Sequence, residues 1–195
     1  MIGFNYLGKL GQLGNQMFQY ATVLGVAEKV GAEACIPHHH EVLVDNLGNN
    51  LRIELFDAFK IKPEKTGFIV TDKNYQETDF TFDEEIFTLD SQHDHCLVGF
   101  FQTYKYFDHI KDRIKKEFTF HEEVKEECSP IVEQFTSPVG LHIRRGDYLI
   151  NSGNHHNLSD RYYEAALKEF DEDRQVIIFT DDPKWVLENP LFESD

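Results

Sequence analysis

Residues 176–185 read Val-Ile-Ile-Phe-Thr-Asp-Asp-Pro-Lys-Trp, and their pattern decides the fold class. An unbroken run of β-branched and aromatic residues, with no polar alternation, predicts a strand buried on both faces of a parallel sheet. Asp182 followed by Pro183 predicts a helix start, the carboxylate as N-cap and the proline at the first helical position. Thr180, Asp181 and Asp182 then fall where a strand ends and a helix begins. Working back, Val139 to Ile143 predicts another strand, with Arg144, Arg145 and Gly146 at its carboxyl end. Between the two strands, Ser159 or Asp160 opens a helix whose apolar face is Tyr163, Ala166, Leu167 and Phe170.

The amino-terminal end has the same grammar. Ile2 to Leu7 predicts a strand, and Gly8, Gly11 and Gly14 punctuate a loop. Met17, Tyr20, Ala21, Leu24 and Ala27 then recur at helical spacing, with Asn15 placed as N-cap and Gly31 as C-terminal cap. A short strand follows at Ala34 to Ile36, ended by Pro37. Residues 38–95 have weak periodicity and predict short elements and loops. Cys96 to Phe101 has strand character, and Tyr106, Phe107, Ile110 and Ile114 fit one helix face. Glu122 to Phe135 predicts an amphipathic helix broken at Ser129-Pro130. A βα start near each end of the chain makes this an α/β protein with paired Rossmann-like units.

Composition limits the partners. The chain has 195 residues, 41% hydrophobic and 28% charged, with a formal net charge of −16. So acidic a chain has no general attraction for nucleic acid or for an anionic membrane surface. Cys35, Cys96 and Cys128 are isolated and odd in number, so neither a disulfide framework nor a cysteine-based zinc site is expected. No stretch has the length of a transmembrane segment. The expectation is a cytoplasmic protein, with peripheral membrane association left open and the oligomeric state unspecified.

In open α/β sheets, ligands bind outside the carboxyl ends of the strands. Three sets of residues fall there. Gly8 to Gln16 would let backbone approach a ligand at a helix start. His142-Ile143-Arg144-Arg145-Gly146-Asp147-Tyr148 holds the only adjacent arginine pair of an acidic chain, and guanidinium groups match phosphate oxygens bidentately. Asp181 can accept from ribose hydroxyls or a guanine N–H edge, whereas Asp182 is first of all an N-cap. The histidines at 38–40, 93, 95, 155 and 156 lack metal-ligand spacing, and Asp171-Glu172-Asp173 falls on the amino side of the sheet as a solvated turn.

Taken together these residues resemble one family. Gly11-Gln12-Leu13-Gly14-Asn15-Gln16-Met17-Phe18-Gln19-Tyr20-Ala21 is similar to the GGLGNQMFQYA opening of the α-1,2-fucosyltransferases, glycosyltransferase family 11. His142 to Tyr148 matches their HxRRGDY motif. Gly99 to Gln102 with Lys105 to Phe107 resembles their GYFQSEKYF segment, and Phe179 to Trp185 their FSDDxxW segment. Gln12 stands where the family has Gly, Tyr104 where it has an acid, and Thr180 where it has Ser. The resemblance implies a GT-B-like fold of two Rossmann-like parallel-sheet units facing a cleft. It implies GDP-β-L-fucose as donor, a galactoside hydroxyl as glycan acceptor, inversion to an α-1,2 linkage, and no cofactor or metal. His142, Arg144, Arg145, Gly14, Asn15, Gln16 and Asp181 become donor-binding, and Arg144, Arg145 and Asp147 catalytic, with Asp147 the expected base for the acceptor hydroxyl. An inverting transferase for another nucleotide sugar, and a relative that binds sugar or nucleotide without transfer, are the competing readings.

The motifs divide the chain into an acceptor-side domain, 1–137, and a nucleotide-sugar-binding part, 138–195. The second is well below the roughly 100 residues of an ordinary domain. It is expected to be incomplete, in a fragment or a shortened family member.

Overall fold

A computed structural model describes residues 1–40, 43–44, 50–153, 155–171 and 173–193. It divides into two compact units, Met1–Glu126 and Glu127–Asp195. Residues 41–42 and 45–49 of the weakly patterned stretch, and Glu172 of the Asp-x-Asp turn, lie outside the described residues.

The first unit is built on strand β1 (Ile2–Gly3), helix α1 (Leu13–Val30) and strand β2 (Ala34–Ile36). Further along come β3 (Leu43–Val44), β4 (Asn50–Leu51), α2 (Leu55–Ala58), β5 (Lys65–Thr66), β6 (Asn74–Gln76) and β7 (His95–Val98). Five of these strands form a parallel sheet in the order β5-β2-β1-β7-β6. All carboxyl ends of that sheet therefore share one edge. Phe4, Leu7, Tyr20, Leu24, Leu55, Ile86, Leu97 and Phe101 are essentially inaccessible in its core, each large apolar side chain contributing about 1.5–3 kcal/mol. Helix α1 is buried continuously through its central half, from Gln19 to Ala27.

Several elements differ from expectation for identifiable reasons. β1 stops at Gly3, because Phe4 to Leu10 close successive turns (Leu7 N–H to Phe4 O, 3.3 Å; Lys9 N–H to Tyr6 O, 2.8 Å). Gly8 and Gly11 have φ of 84° and 86°, the left-handed region that a turn of this kind needs. α1 begins at Leu13, so Gly14 and Asn15 are already helical and Gln12 holds the cap position without a side-chain cap bond. Asn15 is not the cap; its amide oxygen instead accepts from Gln102 Nε2 at 2.6 Å. At the other end Gly31 is the expected left-handed cap, φ 70°, donating to Ala27 and Glu28 carbonyls. The 104–117 segment is two short 3₁₀ turns followed by α3 (Lys111–Glu117), with Tyr106 and Ile114 pointing inward.

Helix α4 (Glu122–Val132) runs through Pro130 without a break, and the division between units falls inside it. Pro130 removes the N–H that would bind the Glu126 carbonyl, but Glu126 is exposed and water can take the vacated acceptor. Its apolar face is not buried: Ile131 and Val132 are exposed.

At the amino edge of the first sheet, Asp90 accepts from His93 Nδ1 at 2.6 Å and from the backbone N–H of Gln92 and His93, with Lys73 Nζ 3.7 Å and His95 Nε2 3.4 Å away. The hydrogen bond with His93 leads the effects that lower the Asp90 carboxyl to about 2, from 3.8. A depressed carboxyl stabilises the fold above its ordinary pKa and loses that contribution as pH falls through its folded value. Asp90→Asn should therefore lose less stability than the unmutated chain between pH 4 and pH 2, checked by urea midpoints at both ends of that window.

The second unit contains β8 (Val139–Ile143), α5 (Gly146–Ile150), α6 (Asp160–Leu167), β9 (Val176–Thr180) and α7 (Pro183–Glu188). β8 and β9 pair in parallel, from Val139 opposite Val176 to Ile143 opposite Thr180. Leu141, Ile143 and Ile178 pack on Tyr163, Leu167, Trp185, Val186, Leu191 and Phe192. The other face is open. Phe179, on that face, is 58% exposed, so β9 is not buried on both faces. A parallel strand is enclosed only when neighbouring strands and a helix layer cover it, and among the described residues the sheet has two strands with one covered face. Phe170, expected on the buried face of α6, lies past its end and is exposed.

Candidate functional site

The register of β8 and β9 ends both strands together, which brings Arg144 and Arg145 beside Asp181 and Asp182. Asp181 organises the turn. Its Oδ1 accepts from the backbone N–H of Arg145 at 2.8 Å, and its Oδ2 pairs with Arg144 Nε at 3.1 Å. Burial alone would raise the Asp181 carboxyl, but the Arg145 amide and the Arg144 charge outweigh it and hold it below the usual carboxylate range. Gly146 is needed for this approach: a Cβ there would lie 2.7 Å from Asp181 Oδ2.

Asp182 serves two neighbours with its two oxygens. Oδ1 caps α7 by accepting from Trp185 N–H at 3.2 Å, and Oδ2 pairs with Arg145 Nε at 3.1 Å. The Arg145 guanidinium carbon lies 3.9 Å from the centre of the Trp185 ring, so the cation is held between a carboxylate and an aromatic face. Among the described residues its two terminal nitrogens have no hydrogen-bond partner, which leaves a fork of donors free. Arg144 is held differently. Its Nη2 and Nε reach Asp147 Oδ1 at 2.7 and 3.1 Å, and its guanidinium carbon lies 5.4 Å from the Tyr148 ring, which in turn stacks on His155 at 4.0 Å.

Asp147, with its side chain 63% accessible, joins the cluster as a partner of Arg144. His142 does not join it. It lies opposite Phe179 on the open face of the sheet, and its side chain makes no hydrogen bond or ion pair among the described residues. Two guanidiniums face three carboxylates, so the arginine charge is more than balanced locally. Trp185, Tyr148 and His155 are contributions that residue type did not announce; the closest sequence signal is the Trp that ends the Phe179–Trp185 motif.

Gly14, Asn15 and Gln16 lie in the first unit. Asn15 is half-buried and Gln102 is exposed. Gln16 is 1% exposed, and its Nε2 donates to the carbonyls of Arg52 (3.2 Å) and Gly11 (3.5 Å). Gln19 does the same for Leu10 (2.8 Å) and Gly99 (3.1 Å). These glutamines fasten the glycine loop from inside, and Gln16 as placed does not reach a ligand. Among the described residues no group of His, Cys, Asp and Glu side chains converges in a metal-holding arrangement, and no helix is long and apolar enough to cross a membrane. A cavity of about 690 Å³ in the second unit lies not at the arginines but beside Phe170, Arg174, Val176 and Phe192. It lies on the packed face of β9, where Leu167, Ile178, Leu191 and Phe192 line it, with Lys168 and Arg174 as its cationic side chains.

A family model described as Glycosyl transferase family 11 matches residues 2–194. Galactoside alpha-(1,2)-fucosyltransferase 1 of Bos taurus is 31% identical over 195 residues, covering 92% of this chain and 51% of that protein. Galactoside alpha-(1,2)-fucosyltransferase 2 of Rattus norvegicus is 31% identical over 179 residues, 86% of this chain and 48% of that protein. The Sus scrofa galactoside alpha-(1,2)-fucosyltransferase 1 is 30% identical over 149 residues, 71% and 38%. The chain spans about half the length of the curated relatives it matches.

Proposed function

Because the chain belongs to glycosyl transferase family 11, we propose that it serves transfer of L-fucose from GDP-β-L-fucose to a galactoside hydroxyl, with inversion to an α-1,2 linkage and without a metal. In this reading residues 138–195 are the donor side and residues 1–137 the acceptor side of a GT-B-like enzyme. The observation that carries it is the arginine pair at the shared carboxyl edge of β8 and β9, where Asp181 and Asp182 fix both guanidiniums. Departure of GDP builds negative charge on the β-phosphate while the fucosyl ring gains positive character. Guanidiniums fixed in advance stabilise that growing charge without reorganisation. Arg145 offers its free fork to a phosphate, and Arg144 supplies the second positive charge. Asp147 accepts the acceptor's proton in this scheme, and its pairing with Arg144 orients the carboxylate.

Calorimetric titration with GDP-fucose tests the reading. The unmutated chain should bind, GDP should compete and UDP should not, and Arg144→Ala should weaken binding at least about tenfold, as expected for a lost charge-assisted contact of about 1.5–3 kcal/mol. No binding by the unmutated chain, or equal competition by UDP, would overturn it. Asp147→Asn should leave donor affinity within about threefold and lower transfer to lactose by about 10²-fold or more, the range of a positioned general base. Near-normal transfer by that variant would remove Asp147 from the base role while leaving the arginines in theirs.

A further inference from the structure

At the carboxyl edge of the first sheet, β6 and β7 lead into Glu77 and Gly99, joined by a Glu77 N–H to Val98 O bond of 2.9 Å. The Glu77 carboxylate accepts two successive backbone amides, Phe100 N–H at 2.6 Å and Phe101 N–H at 2.9 Å. This grip holds Gly99 at φ 155° and Phe101 at φ 52°, a left-handed conformation that a phenylalanine seldom adopts. The two rings part company as a result. Phe101 is fully buried, edge-on to Phe4 and Tyr106. Phe100 stays partly exposed and lies 6.1 Å from Phe80, which is 68% exposed. The residues flanking Phe80, Asp79 and Thr81, and the Glu77 that holds Phe100 line a cavity of about 220 Å³ together with Tyr75, Phe82, Asp83 and Tyr106.

An exposed aromatic pair next to a polar cavity is the chemistry of a ring-shaped ligand with one apolar face and several hydroxyls. The acidic lining repels a phosphate but not an uncharged saccharide, whose hydroxyls can donate to it. We infer that the Phe80–Phe100 pair and this cavity bind the acceptor saccharide, the galactoside ring stacking on the phenylalanines while its hydroxyls donate to the carboxylates. The inference rests on the proposed transferase reading for the identity of the sugar, and assigns it to residues that none of the donor motifs touches.

Titration of the full chain with lactose, followed by saturation-transfer NMR, tests it. Lactose should bind, Phe80→Ala should weaken it at least tenfold, Phe80→Tyr should restore it, and GDP affinity should be the same in all three. Wild-type affinity for lactose in Phe80→Ala, or no lactose binding by the unmutated chain, would overturn the assignment. Far-UV circular dichroism confirms that the exposed substitution leaves the fold intact, and Phe100→Ala gives a second reading on the other ring. Loss of GDP binding in the unmutated chain with lactose binding retained would instead sink the donor assignment and leave this site standing.

Discussion

In the proposed reaction, Arg145→Ala should lower fucose transfer by about 10²- to 10³-fold, the loss recorded when one preorganised donor to a developing anion is removed. Three features of the site put the effect at that end. The Arg145 side chain is largely buried, with 21% accessibility, so its charge is less screened than that of a surface cation. Its removal leaves Asp182 without its guanidinium partner and changes the cluster from two cations against three anions to one against three. It also deletes a guanidinium fork that has no partner among the described residues. Arg145→Lys should recover little, because an ammonium cannot bind Asp182 through Nε, present two further donors and lie flat on Trp185 at the same time. Trp185→Ala should fall between the two: the guanidinium remains but loses the ring that orients it, so turnover should drop more than donor affinity. Steady-state kcat and GDP-fucose titration for the three variants give the ranking, and Arg145→Ala within about threefold of the unmutated rate would exclude the arginine from charge stabilisation.

How much of this was legible beforehand depends on how local the cause is. β2, β8, the Gly31 cap and the Asp182-Pro183 helix start depend on neighbouring residues alone, and they stand at the expected positions. The arginine pair was legible because adjacent guanidiniums are conspicuous in an acidic chain. What was not legible depends on tertiary partners. Asn15 has the composition of an N-cap, but Gln102 claims its side chain and the cap falls three residues earlier, at Gln12. Gln16 has the polarity of a ligand contact, yet Arg52 and Gly11 draw its amide inward. The run Val176 to Phe179 has the composition of an enclosed strand, and its exposure is decided by how many strands and helices surround it, which its own residues do not specify. Trp185 and Tyr148 enter the site only because the β8–β9 register brings two distant turns together.

The helix that carries the glycine loop should respond in opposite directions to the same substitution at two of its positions. Glycine in a helix interior is worth about 0.8–1 kcal/mol less than alanine, so Gly→Ala stabilises wherever a methyl group fits. At Gly14 nothing lies within 4 Å of the added Cβ, and Gly14→Ala should raise stability by a few tenths to about 1 kcal/mol. At Gly25 the Cβ would lie 2.2 Å from the Tyr106 carbonyl oxygen and 2.9 Å from Phe107 Cα, both backbone atoms of the chain crossing α1. Neither can rotate away as a side chain would. The crossing is further held by His109 Nε2 bound to the Gly25 carbonyl at 3.0 Å and by Tyr106 buried beneath it. Overpacking of this kind costs about 1–3 kcal/mol or more, which exceeds the propensity gain. Gly25→Ala should therefore destabilise the first unit by about 2 kcal/mol and Gly25→Val by more, read as urea midpoints followed by far-UV circular dichroism. If Gly25→Ala proved as stabilising as Gly14→Ala, the backbone of residues 106–107 could not cross α1 at this distance, and the path that leads from the strained Phe101 turn to α3 would have to be different.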